Sequence, residues 1–410
     1  MKKALLVTRV SGFVPQFEMN NVKLLQEMGY EVHYAANYDT IVYGKDNSRL
    51  DGTGVVRHQI DFERSPFSPS VRKSYGQLKD LLLQEQFDLI HCHMPMSAVV
   101  TRIAAQAVRR KTGRKVPVLY TAHGLHFYTG APLANWVYYP VERFLAKYTD
   151  RLILINEEDY ARALKFPIRG SVEHTKGIGM RLESFEAYQK DNYASGQERQ
   201  QTELQKTYGI PAEHKVLISV GELTKRKNNI TMVEAMSELK DLPVTYLICG
   251  SGPKEEELKQ KVQELGLEKN VKFAGYVTEV PELLRQADCF VFPSFQEGLP
   301  VAVMEAMAVG LPVIASRIRG ITDLIEHTRG GYLVDDWEPE NYAVKVRRMF
   351  EEEQGKSDVS RDARRLEMGE WNRQRIKEFS LDVVEAKMRQ IYESVKEEFH
   401  ENNTDTDVNL

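Results

Sequence analysis

Cysteine is scarce in this 410-residue sequence, with only Cys92, Cys249 and Cys289. They are widely spaced and fall in no ligand pattern, which argues against disulfides and a zinc site and predicts a reducing, cytoplasmic setting. Long apolar runs are also missing. Arg9 interrupts the opening Met1–Val7 run before it reaches the length of a signal-peptide core. The most apolar window, 298–316, contains two prolines, two glycines and Glu305, which argue against a membrane span. The full dinucleotide-binding fingerprint does not occur, which disfavours a nicotinamide dehydrogenase. Low-complexity sequence is confined to the polar end, Glu401–Asn409, which is expected to fray.

What remains is globular, 42% apolar and 28% charged, in a chain too long for one ordinary core. Two domains follow. The net charge of −4 conceals an asymmetry: residues 1–190 hold 26 Lys and Arg against 19 Asp and Glu, and the remainder 29 against 40. A basic first half suits an anionic partner, such as a phosphorylated acceptor or a membrane surface, although most surface charge serves solvation. No nucleic-acid partner is expected.

Apolar strands alternate with helical segments along the chain. Ala4–Thr8, Glu31–Ala36, Asp88–Cys92, Val116–Tyr120 and Arg151–Ile155 read as strands, with helices near Phe17–Met28, Val71–Gln86, Ala98–Arg110 and Trp136–Lys147. A polar connection within 186–207 precedes a second series, with strands at 216–220, 244–249, 271–273, 289–292 and 313–315. This rhythm predicts two doubly wound α/β domains with ligands beyond the carboxyl ends of parallel strands. The expected limits are 1–190 and 205–375, followed by a helix over 378–400 and a disordered tail over 401–410. Leu381, Val384, Met388, Ile391, Tyr392 and Val395 form an apolar stripe on that last helix, which needs a surface to cover.

The stretch Phe292–Pro312 says most about function. Pro300 suits the first turn of a helix and Gly310 with Pro312 its stop, so a helix is predicted over about Pro300–Val309. Its residues are apolar on every face except Glu305. A buried carboxylate without donors is costly, so Glu305 either finds protein donors or is held for a ligand's hydroxyls. It lies about 7 Å from the helix start, whose free N–H groups and dipole form an anion site beside Glu297. Two hydroxyl acceptors flanking a phosphate site suit a nucleotide sugar. The competing reading, a capping box at Ser294 and Glu297, would leave Pro300 inside the helix at a cost of about 3 kcal/mol.

Other candidates follow strand ends. His123, in Thr121-Ala-His-Gly-Leu-His126, is well placed to hydrogen-bond a ligand, with a structural histidine as the alternative. His91 and His93 share one face of the preceding strand. Lys225, Arg226 and Lys227 crowd one loop after Gly221 and can hold a diphosphate. Gly250 and Gly252 would let backbone approach a ligand. His126, Phe127, Tyr128, Trp136, Tyr138 and Tyr139, followed by Arg143 and Lys147, read either as core or as an interfacial patch for a lipid-linked acceptor.

Taken together, Gly221-Glu-Leu-Thr-Lys-Arg-Lys-Asn, Gly250-Ser-Gly-Pro, Phe273-Ala-Gly-Tyr and Phe292-Pro-Ser…Glu297-Gly-Leu-Pro…Glu305-Ala-Met-Ala resemble family 4 glycosyltransferases in order and spacing. Thr121-Ala-His-Gly-Leu-His-Phe-Tyr makes the chain most similar to the bacterial capsule and exopolysaccharide members. The resemblance implies a GT-B fold, two Rossmann-like domains facing across a cleft with a C-terminal helix returning to the first. It further implies a nucleotide-sugar donor, usually a UDP-sugar, metal-independent transfer with retention at the anomeric carbon, and no cofactor. The implied product is a hexose or N-acetylhexosamine joined to a glycan acceptor that is lipid-linked through polyprenyl diphosphate. Peripheral contact with the inner face of the membrane accompanies that expectation.

By position, the resemblance implies that Glu297 binds the donor hexose and Glu305 the ribose, while backbone at Gly298, Leu299, Pro300 and Val301 faces the sugar and diphosphate. Lys227 matches the phosphate-binding lysine and His123 the active-site histidine; these two and Glu297 are the implied catalytic set. Tyr276 and Val277 open the base-contacting loop, and Gly12 occupies the first glycine loop. His93, His126 and Tyr128 are assigned to the acceptor side. Two positions depart from the family: Glu222 stands where an arginine is frequent, leaving Arg226, Arg317 or Arg319 to substitute, and Ser11-Gly12 replaces a Gly-Gly pair. A catalytically silent binding or assembly partner and a UDP-sugar epimerase are the alternatives.

Overall fold

The computed structural model describes residues 1–44, 46–65, 68–188, 201–350 and 358–404. The chain divides into two compact units, residues 1–179 with 381–410, and residues 180–380. Most of the expected polar connection (189–200) and the last six residues lie outside the described positions.

The first unit is built on seven parallel strands: β1 (Lys2–Val10), β2 (Tyr30–Asn37), β3 (Val56–Gln59), β4 (Leu89–His93), β5 (Val118–Ala122), β6 (Arg151–Leu154) and β7 (Ser171–His174), in the order β3-β2-β1-β4-β5-β6-β7. The central strands are buried and apolar because helices cover both faces of such a sheet. Ser70–Glu85 and Pro95–Thr112 are among these helices. The final helix, Leu381–Thr404, covers the apolar face that its stripe requires. Val384, Met388, Ile391, Tyr392 and Val395 pack with Ala4, Leu6, Leu24 and Tyr34. Its Tyr392 hydroxyl also lies 2.8 Å from Nδ1 of His91, so a buried polar pair fixes the helix on the sheet.

The second unit has six parallel strands: β8 (Lys215–Val220), β9 (Val244–Cys249), β10 (Val271–Gly275), β11 (Cys289–Phe292), β12 (Val313–Ser316) and β13 (Gly331–Val334), in the order β10-β9-β8-β11-β12-β13. The reversals of strand order, at β1/β4 in the first sheet and β8/β11 in the second, are where a doubly wound sheet opens a crevice. The loops after β8 and β11 carry the densest cluster of predicted donor residues.

Three strands were not apparent as apolar runs: β3, β7 and β13. Each lies at a sheet edge, where one side has no neighbouring strand. β3 reads Val-Arg-His-Gln and β7 Ser-Val-Glu-His, too polar to stand out. The cysteines are free and buried. Among the described residues no helix is long and apolar enough to cross a membrane.

Candidate functional site

The predicted helix forms over Val301–Ala308, with Pro300 as its extended N-cap at φ −77° and ψ 114°. The Pro300 carbonyl accepts from the Val303 and Met304 N–H groups at 3.1 and 3.2 Å, starting the helix where proline costs nothing. Ser294 does not cap it. Its hydroxyl instead donates to Glu297 Oε1 at 2.6 Å.

Three donors converge on that one oxygen. Arg226 Nη1 reaches it at 2.7 Å and Lys227 Nζ at 2.9 Å, while Glu297 is only 7% exposed. Burial alone would push the Glu297 carboxyl up, but Lys227, Arg226 and the Ser294 hydroxyl overcome it and hold the group below its ordinary range. Lys227 is shifted down, because burial and the Arg226 charge outweigh its carboxylate neighbours Glu297 and Glu222. The two directions agree physically: two adjacent cations, Lys227 and Arg226, and the Ser294 hydroxyl favour the ionised Glu297, whereas burial and the adjacent Arg226 charge disfavour the ionised Lys227. The β8 loop is clamped to the β11 loop by backbone as well, Phe295 N–H donating to the Arg226 carbonyl at 2.9 Å. Asn228 Nδ2 adds a bond to the Pro293 carbonyl at 3.0 Å. Lys227 also lies 4.5 Å from the centre of the Phe292 ring, which narrows its positions.

Glu305 is different. Burial raises its carboxyl to about 7, and it has no hydrogen-bond or ion-pair partner among the described residues. Of the two outcomes weighed from the sequence, protein donors are therefore not the one found.

A pocket beside these loops is lined by Gly221, Glu222, Gly250, Ser251, Tyr276 and Val277, so four sequence-derived donor positions, Glu222, Gly250, Tyr276 and Val277, meet there. Tyr276 is 79% exposed on its rim. The glycines have a packing reason as well. A Cβ on Gly250 would lie 1.9 Å from the Gly221 carbonyl oxygen, and one on Gly252 within 2.7 Å of Leu223 backbone. Gly298 is similarly backed by Gly320, whose added Cβ would meet the Gly298 carbonyl at 2.0 Å. Of the cations considered as substitutes near Glu222, Arg226 is engaged with Glu297, Arg317 pairs with Asp335 at 2.5 Å, and Arg319 Nε donates to the Glu297 carbonyl at 3.0 Å.

The histidines assemble in the first unit. His93 Nδ1 and His123 Nε2 are 3.2 Å apart at the ends of β4 and β5, and His93 is fully buried, so it reaches any ligand through His123. His126 turns elsewhere, its ring 4.8 Å from that of Tyr138. Tyr128 is half-buried in the same loop. Gly12 lies under the Val42 carbonyl, which leaves no room for a Cβ, so its glycine is required by the 39–44 loop.

Sequence reasoning missed Glu18. It ends a single π-helical turn, Val14–Glu18, and its Oε1 lies 3.5 Å from both His93 Nδ1 and His123 Nε2. Among the described residues of this unit, Glu18, His93 and His123 lie close enough together to hold a metal ion. One acidic residue after Val-Pro-Gln-Phe was the only sequence signal, and it reads equally well as a helix surface.

Comparisons with known proteins agree along the chain. The family described as Glycosyl transferase 4-like domain matches residues 19–171, and Glycosyl transferases group 1 matches residues 200–366. EpsD of Bacillus subtilis (strain 168), described as a glycosyltransferase, is 35% identical over 354 residues, covering 85% of this chain and 87% of EpsD. The UDP-Gal:alpha-D-GlcNAc-diphosphoundecaprenol alpha-1,3-galactosyltransferase of Escherichia coli is 31% identical over 296 residues, covering 67% of this chain and 72% of that enzyme. HepE of Anabaena, solved with UDP and glucose, matches 96% of this chain and 100% of its own with a TM-score of 0.72 and 18% identity, a likeness of fold. The chain belongs to the family 4 (group 1) glycosyltransferases and has their GT-B fold.

Proposed function

We propose that this glycosyltransferase moves a hexose or N-acetylhexosamine from a UDP-sugar to a polyprenyl-diphosphate-linked glycan during exopolysaccharide assembly, with retention at the anomeric carbon. The observation that carries the donor reading is the pair of acids around one helix start. Glu297 is held ionised at the entry, and Glu305 stands without a protein donor inside. In this reading the diphosphate meets Lys227 and the N–H groups of Gly298, Leu299 and Val301. Glu297 accepts hexose hydroxyls, Glu305 the ribose hydroxyls, and Tyr276 and Val277 border the base. The lipid-linked acceptor is supported by the name of the Escherichia coli relative, and the exopolysaccharide setting by relatives named for colanic acid and amylovoran synthesis.

The proposed step is a front-face substitution. The acceptor hydroxyl attacks the anomeric carbon on the side from which UDP leaves, the glycosidic C–O bond to UDP breaks, and the hydroxyl proton passes to a leaving phosphate oxygen. Lys227 and the helix start stabilise the negative charge that develops on the diphosphate. His123 is assigned to the reacting sugar on its motif. The transfer uses no metal ion, as in the family.

An exposed apolar stripe in the first unit supports membrane contact for the acceptor. Leu133, Val137, Val141 and Phe144 are 90%, 63%, 44% and 54% exposed, with Arg143 and Lys147 alongside. Residues 101–150 hold eight Lys and Arg against two acids, Glu142 and Asp150, and both acids are buried in pairs with Arg102 and Arg169. Such a face fits anionic lipid.

The deciding experiment offers UDP and several UDP-sugars for binding, then polyprenyl-diphosphate-linked sugars as acceptors, with the product anomer read by NMR. Retained anomeric configuration in a transferred sugar supports the reading. UDP-sugar conversion without an acceptor would favour an epimerase, and absence of any turnover a silent binding protein.

A further inference from the structure

Arg9 places a cation at the carboxyl end of the first strand. β1 is buried from Ala4 to Thr8 and again at Val10, and Arg9 is the half-buried residue between them. The last pairing of β1 with β4 is Val7 with Cys92, and its register with β2 shifts between Val7 and Val10. Arg9 therefore stands in an irregular stretch where the β1/β4 crevice opens, and such bulges re-aim side chains next to sites. Among the described residues its guanidinium makes no hydrogen bond or ion pair. Burial and the Arg64 charge disfavour its ionised form, and Tyr43 and Glu63 offset them only in part. Two residues on, the Ser11 hydroxyl is also buried without a partner among the described residues. A guanidinium withdrawn from water and left unpaired by the protein is costly unless a ligand supplies the anion.

The neighbouring loop holds an aromatic ring beside it. Tyr43 is 46% exposed yet has a φ of 67°, a left-handed conformation that a bulky residue adopts only where its surroundings impose it. The Val42 carbonyl stands over Gly12, Arg49 Nη2 donates to the Tyr43 carbonyl, and Arg49 Nη1 donates to Gln16 Oε1 at 2.8 Å. The Tyr43 ring meets that of Phe17 edge-on at 5.1 Å and that of Phe13 at 6.3 Å. Phe13 in turn lies 5.0 Å from the His123 ring, so cation, aromatic wall and motif histidine are contiguous within the first unit.

We propose that Arg9 and Tyr43 form the acceptor subsite of the first unit, Arg9 pairing with the diphosphate of the lipid-linked acceptor and the Tyr43 ring packing on the sugar that this diphosphate carries. The inference rests on the polyprenyl-diphosphate reading of the acceptor. A guanidinium offers a planar fork of N–H donors that matches phosphate oxygens. The sugar is bonded directly to the diphosphate, so the cation and the ring that hold them have to be neighbours, as Arg9 and Tyr43 are. One face of a pyranose carries C–H groups that pack on an aromatic ring, and the phenol adds a hydroxyl for hydrogen bonding. The reaction brings two diphosphates. That of the donor is assigned to Lys227 and the helix Val301–Ala308, which leaves the cation of the first unit for that of the acceptor.

The test compares the full-length wild type with R9M, R9K, Y43A and Y43F in initial rates at saturating UDP-sugar. R9M keeps the apolar stem, and because Arg9 has no partner in the protein its loss orphans none; thermal unfolding verifies each fold. Two acceptor probes carry the same sugar, one on polyprenyl diphosphate and one as an uncharged alkyl glycoside. R9M should raise KM for the diphosphate probe about 10- to 100-fold, the range for lost charge-assisted hydrogen bonds. Its kcat and its KM for the alkyl glycoside should change little, and R9K should fall between wild type and R9M. Y43A should raise KM for both probes about three- to tenfold, with Y43F close to wild type. Calorimetric affinity for UDP should stay at the wild-type value in all four variants. An unchanged KM in R9M or in Y43A, or an equal rise for both probes in R9M, would overturn the subsite. So would a loss of UDP affinity in R9M as large as its loss of acceptor, which gives Arg9 to the donor. If the wild type binds UDP yet transfers to no polyprenyl-diphosphate-linked sugar, the acceptor reading fails and the subsite with it. Transfer by the wild type with R9M indistinguishable from it leaves that reading standing and removes the subsite alone.

Discussion

Two buried glutamates in this chain have opposite surroundings. Glu297 in the second unit receives Lys227, Arg226 and Ser294 on a single oxygen, whereas Glu18 in the first faces two neutral histidines and one amide. The first is held ionised against burial and the second is raised to about 8 by it. Burial is common to both, so the neighbours decide the charge. An ionised carboxylate and a carboxyl that burial biases toward its neutral form thus arise from the same side chain. Glu305 lies between the extremes, at about 7 without a protein partner.

The strongest way to break the comparison is to remove its cation. K227A should lower kcat about 100- to 1,000-fold, the range for losing one preorganised group facing developing charge, with the fold intact by circular dichroism. Wild-type turnover would remove Lys227 from the diphosphate.

Next in size, E305A should weaken UDP binding by calorimetry about 10- to 100-fold, as expected for losing charge-assisted hydrogen bonds worth roughly 1.5–3 kcal/mol. The pH dependence sharpens the same point. Glu305 is ionised above about 7 and protonated below it, so affinity for a UDP-sugar should fall as pH falls through 7. E305Q should bind weakly and with a flat profile. A UDP-sugar is the suitable ligand because its diphosphate is doubly esterified and does not titrate there.

R226A should have the smallest effect. Its side chain is 46% exposed, and half-exposed ion pairs contribute about 0–1 kcal/mol, so UDP affinity should change less than about fivefold. A loss as large as that of K227A would identify Arg226 as the cation substituting at Glu222.

The sequence was informative where chemistry and backbone grammar coincide. Pro300, Gly310 and Pro312 bracketed the Val301–Ala308 helix to within a residue, because proline and glycine have few other tolerated positions. The apolar stripe on the last helix predicted its need for a surface, and Tyr392 with His91 supplied the polar contact within it. Gly250 and Gly252 were legible as special but not for their packing reason, since Gly221 and Leu223 come near only through the pairing of β8 with β9. Glu18 was not legible at all. Its significance arises from histidines at the ends of two distant strands and from a π-turn that no residue pattern announces.

The most direct measurement is calorimetric titration of UDP into the wild-type, K227A and E305A proteins. One saturable site in the wild type, weakened about tenfold or more in both variants, is the expected result. Equal affinity in all three would contradict the assignment of the donor to the loop after β8 and the helix Val301–Ala308.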